Sequence, residues 1–154
     1  MNLKILWPGK TKDGDFRRLQ GFYLERIQQL ANCKLMEAKE ARGIEEKFAD
    51  RIKEIEAKAL ERYLKDDYII CLSDKGSEMN SFDFARFLEK RGASSRPITF
   101  VVGGFLGLAD RILKKADFLL SLSKMTFSHE LSRVVLLEQL YRSLTILSGK
   151  PYAK

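Results

Sequence analysis

The chain has 154 residues, 45% of them hydrophobic and 32% charged, which supplies core material for one domain and excludes intrinsic disorder. Basic residues outnumber acidic ones by 28 to 21, a net charge of +7, and the excess is uneven: residues 1–77 hold 16 basic and 14 acidic side chains, residues 78–154 hold 12 and 7. No apolar run reaches the ~18 residues of a membrane span, and the stretch before Pro8 is too short for a secretory leader. A cytoplasmic protein with a polyanionic partner is expected.

Residues 3–7 read as a first strand, closed by Pro8 and Gly9. Asp15 is placed to cap a helix running to about Ala31, with Phe16, Leu19, Tyr23, Ile27 and Leu30 on its apolar face. A short strand over 33–37 precedes a long amphipathic helix over 44–65, whose inner face carries Ile44, Phe48, Ile52, Ile55, Ala59 and Tyr63. Residues 68–72 are nearly all apolar, as a strand covered on both faces must be, and Asp74-Lys75-Gly76 predicts a turn. Asn80 caps a helix over 81–90 that Gly92 stops. Residues 97–102 form another apolar strand and run into Gly103-Gly104. A helix over 108–115, a strand over 118–122 and a last helix over 129–147 complete the chain. Five strands alternating with five helices predict a single α/β domain over 1–154, with a mainly parallel sheet covered by helices on both faces.

In such sheets ligands bind beyond the carboxyl ends of the strands. Three loops leave strands in that direction: after Leu72, at 103–107, and at 123–128. Gly103-Gly104-x-x-Gly107 permits close backbone approach but lacks both the dinucleotide fingerprint and a Walker lysine. The 122–127 segment can line an adenine or ribose pocket with backbone groups, while Ser123 or Ser128 is also a natural helix cap. His129 is the only histidine, and no nucleophile elbow, catalytic carboxylate pair or metal-ligand cluster accompanies it, which argues against hydrolysis and metal catalysis. Cys33 and Cys71 sit singly in strand-like runs and read as buried thiols.

The last helix is apolar around most of its circumference and so needs cover on more than one side, from the sheet and from a partner subunit or another part of the chain. Arg133 and Arg142 stand on opposite sides of it at 100° per residue, and Glu138 can pair with Arg142. In the tail, Tyr152 suits stacking on a base and Lys150 and Lys154 suit phosphate contact.

Taken together, Phe100-Val-Val-Gly-Gly-x-x-Gly-Leu108, Leu120-Ser-Leu-Ser-x-Met-Thr-Phe127, His129-x-Leu-x-Arg133, Glu138-Gln-Leu-Tyr-Arg142 and Gly149-x-Pro-Tyr152 resemble the RlmH family. These are the large-subunit (23S) rRNA pseudouridine N3-methyltransferases of the SPOUT superfamily. The resemblance implies a C-terminal trefoil knot, a homodimer with the last helix in its interface, and S-adenosylmethionine (SAM) as cofactor. By position it carries over Leu72, Gly103, Leu122, Ser123, Lys124, Met125, Thr126 and Phe127 as cofactor-binding residues. It implies catalysis or rRNA contact for Arg142 and Tyr152, and rRNA contact for Arg133 and Lys154, on a ribosomal substrate. Two positions depart from the family pattern. The chain ends Pro151-Tyr152-Ala153-Lys154 where family members have Pro-Tyr-His-Arg or similar, and Phe105-Leu106 stands where they carry Pro-Glu or similar. These departures motivate the alternatives of a knotted RNA-binding protein without catalysis, or a related methyltransferase acting elsewhere on RNA.

Overall fold

The computed structural model describes residues 1–152. The strands are β1 (Asn2–Pro8), β2 (Asn32–Ala38), β3 (Tyr68–Ser77), β4 (Ile98–Val101) and β5 (Phe118–Leu120). The helices are α1 (Gly14–Gln28), α2 (Ala49–Glu61), α3 (Ser81–Gly92), α4 (Asp110–Leu113) and α5 (His129–Leu147), with a single 3₁₀ turn at Glu46–Phe48 ahead of α2. The sheet order is β2-β1-β4-β3-β5, and every pairing is parallel. A parallel pair needs a long crossover, and the intervening helices supply it. The expected α/β architecture holds.

Side chains alternate across the strands and feed two cores. On one face Ile5, Trp7, Ile70 and Phe100 pack with Ile27 of α1, Phe84 and Leu88 of α3, and Leu136, Leu137 and Leu140 of α5. On the other face Leu6, Cys71 and Val101 meet Ala57 and Leu60 of α2 and Ile112 of α4. Helices therefore cover both faces. Cys33 and Cys71 are buried and unpaired, and burial pushes both thiols up to about 12. Among the described residues no helix is long and apolar enough to cross a membrane.

Several boundaries differ from expectation for identifiable reasons. Asp13, not Asp15, caps α1, accepting from the backbone N–H groups of Asp15 and Phe16. Leu19 faces outward at 43% exposure, beside Phe22 at 44%. The helix expected over 44–65 is shorter: a 3₁₀ turn opens it, α2 buries Glu56, Ala57 and Leu60, the expected Ala59 and Tyr63 pack against the same core, and Phe48 is exposed. Helix α3 passes through Gly92 and ends at Ala93, and α4 keeps one turn only. The turn expected at Asp74-Lys75-Gly76 lies inside β3 as an irregularity: Leu120 pairs with both Leu72 and Ser77, so residues 73–76 loop out between them. A Cβ on Gly76 would sit 2.6 Å from the Leu119 carbonyl carbon, which is why glycine occupies the crossing. The all-round apolar character of α5 is met within the chain: the helix lies between α1 and α3 over the sheet, and none of its residues is exposed.

Candidate active site

Three strand-end loops converge on a cavity of about 440 Å3. The looped-out bend of β3 contributes Leu72, Ser73 and Asp74; the exit of β4 contributes Gly103, Gly104 and Gly107; that of β5 contributes Leu122, Ser123, Met125, Thr126 and Phe127; and His129 opens α5 at its edge. Each exit is shaped by local chemistry. The β4 loop folds back on itself, with the Gly107 N–H donating to the Gly104 carbonyl at 3.0 Å. Gly107 takes φ +81° there, a conformation that costs other residues about 1–2 kcal/mol. The β5 loop is wound on its serines: the Ser121 hydroxyl donates to the Ser123 carbonyl at 3.0 Å, and the Met125 N–H donates to Ser123 Oγ at 3.0 Å. Ser128 then caps α5 by accepting from the Leu131 N–H.

Seven of the eight residues expected around the cofactor line this cavity. Lys124 is the exception, exposed and outside the lining. Phe105 and Met125 are 66% and 79% exposed and leave the hollow open. Among the described residues, Asp74 is the lone acidic one in the lining, and no lysine or arginine joins it. Such a wall suits a neutral or cationic ligand and offers nothing to a polyphosphate. Burial, with the nearby Arg133 charge, lowers the His129 pKa below its ordinary value and favours a neutral imidazole at the rim. Asp74 and His129 were not expected here. His129 had only its isolation in the sequence to mark it, and Asp74 was read as part of a turn.

Arg142 and Tyr152 lie elsewhere. Arg142 donates to Glu138 Oε1 through Nε at 3.1 Å and Nη2 at 2.6 Å, fulfilling the predicted pair. Tyr152 donates its hydroxyl to the same oxygen at 3.0 Å. Its ring packs on Tyr141 with 4.6 Å between centroids, and the Arg142 guanidinium lies over it at 5.0 Å. Glu138 thus gathers both groups. The hydrogen bond to Glu138 holds Arg142 firmly charged, and burial, with Tyr23 and Glu138, raises the Tyr152 pKa so that its hydroxyl keeps its proton. Arg142 is 13 residues along α5 from His129, roughly 20 Å at 1.5 Å per residue.

Arg133 corrects the expectation of an exposed RNA contact. It is 1% exposed. Its guanidinium donates to the Pro8 carbonyl at 2.8 Å, the Gly9 carbonyl at 3.2 Å and Thr11 Oγ1 at 3.0 Å, and lies over Trp7 at 4.7 Å. It fastens the exit of β1 to α5, with its guanidinium committed to backbone and hydroxyl oxygens. Lys154 lies outside the described residues.

A doubly covered parallel sheet with a glycine-loop cavity at its carboxyl edge defines an α/β protein whose ligand site lies where such sheets carry theirs. The sequence profile described as "Predicted SPOUT methyltransferase" matches residues 1–153, and the chain belongs to the SPOUT methyltransferase family. It is 36% identical to ribosomal RNA large subunit methyltransferase H of Clostridium kluyveri over the whole of both chains. It is 40% identical to the protein of that name from Thermodesulfovibrio yellowstonii over 97% of this chain and 96% of that one. Among solved structures, a probable methylase family protein from Haemophilus influenzae superposes with a TM-score of 0.62 at 15% identity, covering 99% of this chain and 70% of that one. A putative methyltransferase from Legionella pneumophila, solved with bound SAM, superposes with a TM-score of 0.52 at 11% identity, covering 91% and 65%. These two likenesses show the shared fold.

Proposed function

We propose that the whole chain acts as one methyltransferase domain that uses SAM to methylate N3 of a pseudouridine in large-subunit rRNA, in the cytoplasm and on the assembled ribosome. The observation that carries the reading is the convergence of three strand-end loops on one cavity, in a chain related over its full length to large-subunit rRNA methyltransferases.

The cavity fits the cofactor. Its volume falls within the roughly 300–1,000 Å3 of small-molecule sites, and its lining matches a ligand bearing a sulfonium cation and no phosphate. When bound, SAM supplies a methyl group already activated on sulfur, so positioning is the protein's main task. Gly103 and the 122–127 backbone hold the adenosyl part at close range, Asp74 offers its carboxylate to hydroxyl or ammonium groups, and Leu72 and Phe127 exclude water. The base must lose its N3 proton, and the charge left on its carbonyl oxygens needs a donor or cation. Arg142 and Tyr152 are suited to that role, the one charged and the other protonated.

Arg142 stands ten residues along α5 from Ser132 at the cavity edge, roughly 15 Å, with Tyr152 packed beside it, so we infer that a second copy supplies them in a homodimer. The outward Leu19 and Phe22 on α1, next to α5, support this interface. We infer also that the C-terminal third is threaded as a trefoil knot. The looped-out 73–76 segment at the end of β5 supports it, with the Ser121 N–H donating to the Ser77 carbonyl at 3.0 Å. Mass spectrometry of large-subunit rRNA from a strain lacking the gene tests the function. The methyl-pseudouridine is expected to vanish and return on complementation; its persistence rejects the assignment.

A further inference from the structure

Behind the glycine loop lies a second cavity, of about 450 Å3, which shares Gly104, Phe105 and His129 with the first as a common wall. Glu56 of α2 reaches it while only 9% exposed. One of its oxygens, Oε2, accepts a long hydrogen bond from the Ala41 N–H at 3.5 Å. The other, Oε1, accepts none among the described residues, yet it is not sealed from the cavity. It presses on the cofactor loop: a Cβ at Gly104 would lie 2.9 Å from it. One long hydrogen bond and the charge of Arg133 are its compensation, with Glu40 opposing, and an apolar residue at this inner position of α2 would avoid the cost of burial.

We propose that this second cavity receives the target nucleobase and that Glu56 accepts the proton of the ring N–H that is methylated. The inference deepens the methyltransferase reading and rests on it. An imide N–H flanked by carbonyls presents one donor, which a carboxylate matches. Ile44, Ile52 and Leu106 supply apolar walls for a planar ring, and Lys10 and Lys12 stand near the sugar-phosphate chain. In the reaction the N3–H bond breaks and its proton passes to Glu56 Oε1. The N3 electron pair forms the bond to the methyl carbon, the carbon–sulfur bond breaks with its pair kept by sulfur, and the proton leaves Glu56 for water. Burial raises the Glu56 pKa above its ordinary value, which brings the carboxylate closer in basicity to its task. The charged and titratable groups facing it are Lys10 and Lys12 after β1, Glu40 after β2, Glu46 ahead of α2, and His129, Glu130 and Arg133 on α5.

The test compares full-length wild type, Glu56→Gln and Glu56→Asp, with large ribosomal subunits from a strain lacking the gene as methyl acceptor. SAM affinity is read by calorimetry and methyl transfer by single turnover. Glu56→Gln is expected to bind SAM within about twofold of wild type while its transfer rate falls by about 100-fold or more. Glu56→Asp is expected to recover part of the rate, and the acid limb of the wild-type pH–rate profile is expected to disappear in the Gln variant. A Gln variant at the wild-type rate overturns the proposal. So does a parallel loss of SAM affinity, which reassigns Glu56 as a prop for the glycine loop. Should Glu56→Gln fail to fold, Ile52→Trp fills the cavity from another wall. The expected result is a KM for the ribosomal substrate raised about tenfold with SAM affinity intact, and an unchanged KM overturns the proposal. A wild-type protein that transfers no methyl group overturns the activity itself, whereas active wild type with an active Gln variant overturns this inference alone.

Discussion

Gly103→Ala is the sharpest probe of the cavity proposed for SAM. A Cβ at this position points at the returning strand of the loop and not into the hollow: it would lie 2.7 Å from the Gly107 carbonyl carbon, 2.9 Å from Gly107 Cα and 3.0 Å from the Leu108 nitrogen. All three are backbone atoms, so no side chain can swing aside. Carbon atoms rest about 3.5–4.0 Å apart, and the loop must retreat by roughly 0.7 Å or more. That retreat works against the Gly107-to-Gly104 hydrogen bond and the buried Leu108 side chain, at an overpacking cost of about 1–3 kcal/mol. If the loop's backbone edge holds the adenosyl group, the same displacement weakens SAM binding by about tenfold to a hundredfold, roughly 1.4–2.8 kcal/mol. Calorimetric titration with SAM reads this directly, and a thermal melt confirms that the variant is folded. Gly21→Ala on α1 is the control, because nothing lies within 4 Å of its added Cβ. It is expected to gain about 0.5–1 kcal/mol of stability and to leave SAM affinity unchanged. A folded Gly103→Ala protein with wild-type SAM affinity refutes the reasoning.

Arg142→Ala is expected to lower methyl transfer by about 100-fold or more while SAM affinity stays within about twofold; if both fall together, the separation between the cofactor cavity and the Arg142–Tyr152 cluster is wrong. Arg133→Lys keeps the charge but loses the fork that serves Pro8, Gly9 and Thr11, and should cost about 3 kcal/mol in urea unfolding; a loss below about 1 kcal/mol would remove it as the clamp between β1 and α5. For His129 the folded-state pKa lies below the ordinary 6.5, so below pH 6.5 the unfolded chain binds more protons than the folded one and stability rises with pH in that window. Acidification from pH 7 should therefore lower the Tm of wild type more than that of His129→Gln, and equal slopes would contradict the placement of His129 at a buried rim.

What was legible in the sequence is what backbone chemistry writes there. Strand exits are marked by runs of apolar residues ending in Gly103-Gly104 or in serines, and in a parallel sheet all such exits point the same way, so the composition of the first cavity follows from the order of elements. Side-chain direction on a helix is legible only where one face is distinctly polar. Helix α5 is apolar nearly all round, so spacing could place Arg133 and Arg142 on opposite sides but could not tell which side meets β1. The structure turns Arg133 inward onto the Pro8 and Gly9 carbonyls and leaves Arg142 to Glu138 and Tyr152. Helix α2 misled for a different reason. Its periodicity put Ile44, Phe48, Ile52, Ile55, Ala59 and Tyr63 on one stripe; the 3₁₀ turn at Glu46–Phe48, with three residues per turn, breaks the phase ahead of α2, while Ala59 and Tyr63 do pack against the core. Past that break the small Ala57 faces the strands and Glu56 comes in beside it. Glu56 follows Ile52 by four residues and precedes Ala59 by three, so helical spacing sets it on the same inner stripe, against Gly104; its charge, which reads as solvent-facing, is what hid it, not its direction.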